Sequence, residues 1–138
     1  MSEVIRFGVS LEKNLLLRFD RLIRGKKYTN RSEAIRDLIR REMVKEAWEE
    51  GGEVAGAITF IYDHHQRDLL NRIMDLQHDH QKIILSTQHV HLDHDHCLEI
   101  VAVRGSAGDV LELADALKAL KGVRHGTLSM TGTGKETK

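Results

Sequence analysis

The stretch Gln88-His89-Val90-His91-Leu92-Asp93-His94-Asp95-His96-Cys97 holds four of the nine histidines and the single cysteine of this chain. His89 and His91 stand two apart, so in a strand both imidazoles point to one face. Residues 83–90 carry the β-branched and apolar content that predicts such a strand. Residues 92–96 are polar enough to turn, and 97–104 read as a returning strand with Leu98, Ile100 and Ala102 on one face. Cys97 then falls close to the His-x-His pair across the hairpin. Two imidazoles and a thiolate are soft-to-borderline donors suited to a transition metal. Three ligands do not close a four-coordinate site, so a fourth comes from elsewhere in the fold, from a second subunit or from water. The bland alternative is an exposed hairpin that tolerates histidine, with the cysteine as a small buried apolar residue. No nucleophile–base pair, Walker A motif or G-x-S-x-G argues for catalysis, so an enzyme is not expected.

The elements that must position these donors can be read from the second half. Residues 53–62 predict a strand. Residues 66–80 predict a helix with Leu69, Ile73 and Leu76 on a stripe, and the hairpin follows. Residues 107–120 predict a helix with Val110, Leu113, Ala114 and Leu117 as its apolar face, and 123–131 a last strand. The order β-α-β-β-α-β is the ferredoxin-like pattern. His64 and His65 follow the first strand, and His78 and His80 lie near the end of its helix. Spacing does not choose among these four for a further ligand.

The first half differs in charge. Residues 1–45 carry 12 Lys/Arg against 6 Asp/Glu, whereas 51–138 carry 9 against 12. A basic half suggests a polyanionic partner. Residues 4–10 alternate as a short strand that needs another chain to satisfy its backbone. Ser10 is expected to cap a helix over 11–24 that ends at Gly25, and Asn30, with Glu33 as capping-box partner, a helix over 31–49. That second helix is expected to bury Ile35, Leu38, Ile39 and Met43. Strand, helix, turn and helix is the order of a ribbon-helix-helix unit, which dimerises through the strand and lays a two-stranded ribbon in the DNA major groove. Arg6, Gly8 and Ser10 would face the bases, and Asn30, Arg31 and Ser32 a phosphate. Gly51-Gly52 marks a linker, with Trp48 packing the junction. With 41% apolar but only 4% aromatic residues, two small aliphatic cores favour oligomerisation. No signal-peptide pattern or apolar run long enough for a membrane span is visible, and one cysteine fits a reducing cytoplasm.

Together these segments resemble the nickel-responsive ribbon-helix-helix transcriptional regulators, the NikR family, over nearly the whole chain. Asn30-Arg31-Ser32-Glu33-Ala34-Ile35-Arg36-Asp37 is similar to the start of their second helix. His89-Val90-His91 through Cys97-Leu98-Glu99 is similar to their metal segment, and Gly122-Val123-Arg124-His125-Gly126 to the entry of their last strand. The first motif is shared with other ribbon-helix-helix proteins; its combination with the metal segment is specific. The resemblance implies an α+β chain: an N-terminal ribbon-helix-helix DNA-binding domain (1–50), a linker (51–52), a C-terminal ferredoxin-like, ACT-like domain for metal binding and tetramerisation (53–132) and a tail (133–138). It implies a homotetramer, a dimer of dimers, with one Ni(2+) per subunit in a square-planar site at the tetramer interface. His89, His91 and Cys97 would come from one subunit and His78 from its neighbour, the Leu76-Gln77-His78 match selecting His78 over His80. Tyr62 and Glu99 match positions beside that site, and Glu33 and Asp37 match acidic positions of a secondary cation site between the domains. His94 matches a common family histidine outside the four ligands.

The function so implied is a nickel-dependent, sequence-specific regulator of transcription, a repressor of nickel uptake genes acting on palindromic double-stranded DNA in the cytoplasm. Gly8 departs from the polar residue of some relatives, and His64, His65, His80 and His96 are additional or variable. The alternatives are a nickel-buffering or delivery protein whose first unit is only a dimerisation arm, and a regulator answering to copper or zinc.

Overall fold

The computed structural model describes residues 3–135, so the first two residues and the last three of the expected tail lie outside it. Residues 3–12 carry no hydrogen-bonded element in the single chain. Val4, Ile5, Phe7 and Val9 are all more than 60% exposed, as an apolar ribbon is before a second chain pairs with it. Helix α1 (Lys13–Gly25) starts later than its apolar pattern predicts. Its N-cap is Glu12, with no side-chain capping bond, so the assignment of Ser10 as cap is corrected. Gly25 is still helical, and the chain reverses at Lys27, whose φ is 65°. The N–H of Tyr28 reaches back to Ile23 O at 3.0 Å, closing the helix as a left-handed C-terminal motif does.

Helix α2 (Arg31–Glu49) is capped as expected: Asn30 Oδ1 accepts from the Glu33 N–H at 2.9 Å. Only half of the capping box forms, because the Glu33 carboxylate pairs with Arg36. Leu38, Ile39 and Met43 are 46–48% exposed, and Ala34 and Trp48 are buried instead. This corrects the expected core of α2 for the single chain. Two helices enclose little volume, and this stripe has no cover from α1.

The rest of the chain wraps one antiparallel sheet. Strands β1 (Glu53–Asp63), β2 (Ile84–His91), β3 (His96–Ser106) and β4 (Val123–Thr131) stand in the order β2-β3-β1-β4. Helices α3 (Arg67–Asp79) and α4 (Ala107–Ala119) connect them. This is the ferredoxin-like arrangement, with β2 as an edge. The core collects Val54, Ile58, Phe60 and Tyr62 from β1, Val101 and Val103 from β3, Leu69 and Ile73 from α3, and Val110, Leu113, Ala114 and Leu117 from α4. Leu98, Ile100 and Ala102 lie on the opposite, half-exposed face of β3. Ser106 Oγ caps α4 by accepting from the Asp109 N–H at 3.2 Å.

The two-glycine junction is pinned at both ends. Gly51 adopts φ 75°. The Gly52 N–H donates to Ala47 O at 2.8 Å, and Gly52 O accepts from the Ala107 N–H at 2.9 Å. Between α4 and β4, Gly122 has φ 105°, and a Cβ there would lie 2.8 Å from both Gln66 Oε1 and Leu69 Cδ2. Gly122→Ala is therefore expected to destabilise the domain by about 2–4 kcal/mol, combining the left-handed penalty with overpacking. Urea unfolding should show a lower midpoint with an unchanged slope.

Candidate metal centre

The antiparallel register sets His91 opposite Cys97 and His89 opposite Glu99. From the other side of β3, Tyr62 lies opposite Cys97. Directly paired residues share a face, so all five side chains project from the helix-covered side of the sheet. Cys97, Glu99 and Tyr62 are buried. His89 and His91 are on the edge strand and exposed. The hairpin thus carries its donors from the interior out to the sheet margin.

Glu99 is the one buried charged side chain among the described residues. It is held from three elements. Tyr62 Oη donates to Oε1 at 3.3 Å, His89 Nε2 lies 2.9 Å from the same oxygen, and Gln77 of α3 donates to Oε2. Burial raises the Glu99 carboxyl above its ordinary range, opposed by His89, Gln77 and Tyr62. Burial, with Glu99 and Cys97 nearby, drives the Tyr62 phenol far above its ordinary value. The His89 ring is therefore oriented by a carboxylate that other groups fix in turn, an arrangement that tunes imidazole ligands.

Donor chemistry and backbone register fit an ion that prefers nitrogen and sulfur. The rotamers are not yet those of a closed site: His89 turns to Glu99, and Cys97 Sγ approaches Leu98 O at 3.8 Å. Among the described residues, the only group of three His, Cys, Asp or Glu donors that closes within 4.8 Å is a different one, His65, His94 and Asp95. Both ring nitrogens of His89 are engaged, Nε2 with Glu99 and Nδ1 with Tyr62 Oη at 3.3 Å, so ligation requires the ring to leave at least one of them.

His78 is exposed in the last turn of α3, one residue after Gln77. His80 turns its Nδ1 back to Leu76 O at 2.8 Å. His64, which the sequence reading left unassigned, packs edge-on against His91 with ring centroids 5.2 Å apart. Its Nδ1 is buried without a hydrogen-bond partner. The signal for this proximity was in the topology: β1 ends at Asp63 opposite His96, so residues 64 and 65 must lie beside the hairpin turn.

In the first half, Arg6, Gly8 and Ser10 are exposed on the unpaired segment, and Ser32 is exposed at the start of α2. Asn30 is committed to its cap. Arg31 is tied to Asp20 by two hydrogen bonds, at 2.9 and 2.8 Å. That bond holds the Asp20 carboxyl below its ordinary 3.8. The ion pair accordingly contributes above the unfolded value and is lost as pH falls through the lowered folded one. Glu33 and Asp37 lie one turn apart. Glu33 is paired with Arg36, and Asp37 accepts from Tyr28 and pairs with Arg41 at 3.1 Å.

Two family models match the chain. The NikR C-terminal nickel-binding domain matches residues 55–131, and the copG-family ribbon-helix-helix protein matches residues 5–46. A relative from Syntrophus aciditrophicus is 64% identical over 135 residues, 98% of each chain. One from Chlorobium limicola is 60% identical, covering 97% of this chain and all of the relative. One from Thermococcus kodakarensis is 53% identical, covering 97% and 98%. All three are named as nickel-responsive regulators. Among solved structures, an uncharacterized protein from Thermotoga maritima matches with a TM-score of 0.52 at 13% identity, over 56% of this chain and 96% of that one, a likeness of fold alone. No helix among the described residues is long and apolar enough to cross a membrane.

Proposed function

The chain belongs to the nickel-responsive ribbon-helix-helix regulators and is a nickel-dependent, DNA-binding regulator of transcription, and from that premise we propose which residues do the work and in what assembly. His89, His91 and Cys97 of one subunit and His78 of a neighbour hold one Ni(II) per subunit. The observation that carries this reading is the pairing of His91 with Cys97 beside the Glu99-braced His89 on an edge strand. When bound, Ni(II) supplies a cross-link between the hairpin and the neighbour's helix. Whichever of Glu99 and Tyr62 stays on the other ring nitrogen orients His89. Gln77 ties Glu99 to α3, the helix whose last turn presents His78. Cu(II) binds such donors more tightly than Ni(II), so selectivity for nickel rests on the response rather than on raw affinity.

The proposed working assembly is a homotetramer, a dimer of dimers. The exposed ribbon residues and the uncovered α2 stripe support dimerisation of residues 1–50, and the open edge of β2 supports a second contact through residues 53–132. Residues 51–52 link the two units. Arg6, Gly8 and Ser10 meet the bases of a palindromic operator, and the start of α2, Asn30 to Ser32, meets a phosphate. Glu33 and Asp37 are proposed to contribute to a weaker cation site between the domains once their arginines move. The protein acts in the cytoplasm, as a repressor of nickel uptake genes and not as an enzyme.

The test is fluorescence anisotropy with a randomised operator library, with and without one equivalent of Ni(II), at fixed salt because phosphate contacts depend on it. Selection of a palindrome only with nickel supports the reading; no selected sequence in either condition favours a nickel-buffering protein. Arg6→Ala should weaken operator binding by about 1–3 kcal/mol and relax base preference. Unchanged discrimination between operator and random DNA would remove Arg6 from the readout. Asp20→Asn should free Arg31 for the backbone. Affinity for any DNA is then expected to rise at low salt, with a salt slope steeper by about 0.9.

A further inference from the structure

We propose a second metal site on this chain, formed by His65, His94 and Asp95 at the outer end of the hairpin, for an exchangeable divalent transition cation of the nickel or zinc type. One donor atom from each of the three residues lies within 4.8 Å of the other two. His65 Nε2 is 3.0 Å from His94 O and 3.7 Å from Asp95 Oδ1. The His65 and His94 rings are 5.3 Å apart. Two imidazoles and a carboxylate form a donor set that binds zinc and its neighbours with positions left over for water.

The backbone holds these groups in place from two separate turns. The His65 N–H donates to Asp63 Oδ1 at 2.9 Å. Asp93 Oδ1 accepts from the Asp95 N–H at 2.9 Å and from the His96 N–H at 2.8 Å. Those two bonds fix the turn that carries His94 and Asp95. In the tautomer that protonates Nε2, His65 spends that proton on His94 O. A cation placed there would take the Nε2 lone pair of the other tautomer, whose proton sits on Nδ1, together with the carbonyl and the carboxylate.

The site is distinct from the proposed inner one but adjacent to it. The His64 ring stands between them, 4.2 Å from His65 and 5.2 Å from His91. A cation bound outside would tie the β1–α3 turn to the β2–β3 turn and so restrain the segment that carries His91 and Cys97. The inference rests on the inner-site reading only in assigning the first equivalent to the sulfur-bearing site.

Equilibrium dialysis of the full chain against Ni(II), with metal quantified and thiolate-to-nickel absorption recorded, tests it. The expected result is two equivalents per chain. His65→Ala and His94→Ala should each lose the second equivalent while keeping the absorption band. His125→Ala, a control on β4, should keep both. Cys97→Ala should lose the band yet retain the outer equivalent, so failure of the inner-site reading shows separately as a wild-type chain with no band. A wild-type chain that binds only one equivalent overturns the proposal. So does a second equivalent that survives both His65→Ala and His94→Ala, since it would mark binding scattered over surface histidines.

Discussion

Cys97→Ala is expected to abolish nickel-stimulated operator binding while leaving a folded protein. Cys97 is 3% exposed and its sulfur touches a carbonyl only at 3.8 Å. Removing one buried atom of this kind costs about 1 kcal/mol of stability, the ordinary scale for a single substitution. The metal consequence is far larger. Outer residues that merely orient a ligand are worth about 10–100-fold in metal affinity, so loss of the sole thiolate donor should exceed about 100-fold. The thiolate is also the donor that separates this set from a plain histidine cluster. Calorimetric nickel titration at neutral pH, with operator binding measured in parallel, reads both effects. Nickel-stimulated binding that survives in Cys97→Ala would show that the regulatory ion sits on other residues. In the wild type, nickel affinity should fall in acid, because the ion competes with protons for the proposed thiolate and for all three proposed imidazole ligands.

Why the hairpin that sets His91 opposite Cys97 was legible while its surroundings were not follows from what periodicity encodes. The 3.6-residue pattern of Val110, Leu113, Ala114 and Leu117 picked out the face of α4 that is buried, and β4 occupies the residues expected of it. In β3, by contrast, Leu98 and Ile100 are as apolar as Val101 and Val103. Alternation therefore defined two faces without saying which one meets the helices. That choice is made by Cys97 and Glu99, a thiol and a carboxylate taken inward by the register with Tyr62 and Phe60. Nothing local in the sequence predicts a buried glutamate; its partners Gln77, Tyr62 and His89 come from three other elements. The expected burial of Leu38, Ile39 and Met43 failed for a related reason. An apolar stripe states that something will cover it, without stating that the cover belongs to the same chain. Ser10 was a plausible cap by residue type, but α1 begins only at Lys13, behind Glu12, so the i+2 and i+3 amides within its reach are those of Glu12 and Lys13 and not those of the second and third helical residues that a cap serves.

Trp48→Ala is expected to be the most destabilising of these changes and to uncouple the two halves of the molecule. Trp48 is 7% exposed and belongs to the same core as Val54, Ile58 and Leu113. Its Nε1–H donates to Thr131 O at the end of β4, at 2.9 Å. Truncating a buried aromatic of this size costs about 3–5 kcal/mol, which thermal or urea unfolding would register directly. Among the buried residues of that core, Trp48 alone comes from the part of the chain before Gly51-Gly52. It sits on α2, the helix whose first turn is proposed to meet the DNA backbone, and α2 runs without a break for 19 residues, about 28 Å at the helical rise. A shift of Thr131 that Trp48 followed would reach the far end of that rod, which is the coupling that Trp48→Phe tests. Trp48→Phe keeps most of the apolar contact and removes only the hydrogen bond, a loss of about 1 kcal/mol, so it tests coupling in a protein that still folds. Nickel affinity should be unchanged in Trp48→Phe, while the factor by which nickel raises operator affinity should fall, since that factor is the coupling free energy between the two sites. If the factor is unchanged, the nickel response reaches the DNA-binding unit through contacts between subunits, and the α2 junction serves stability alone.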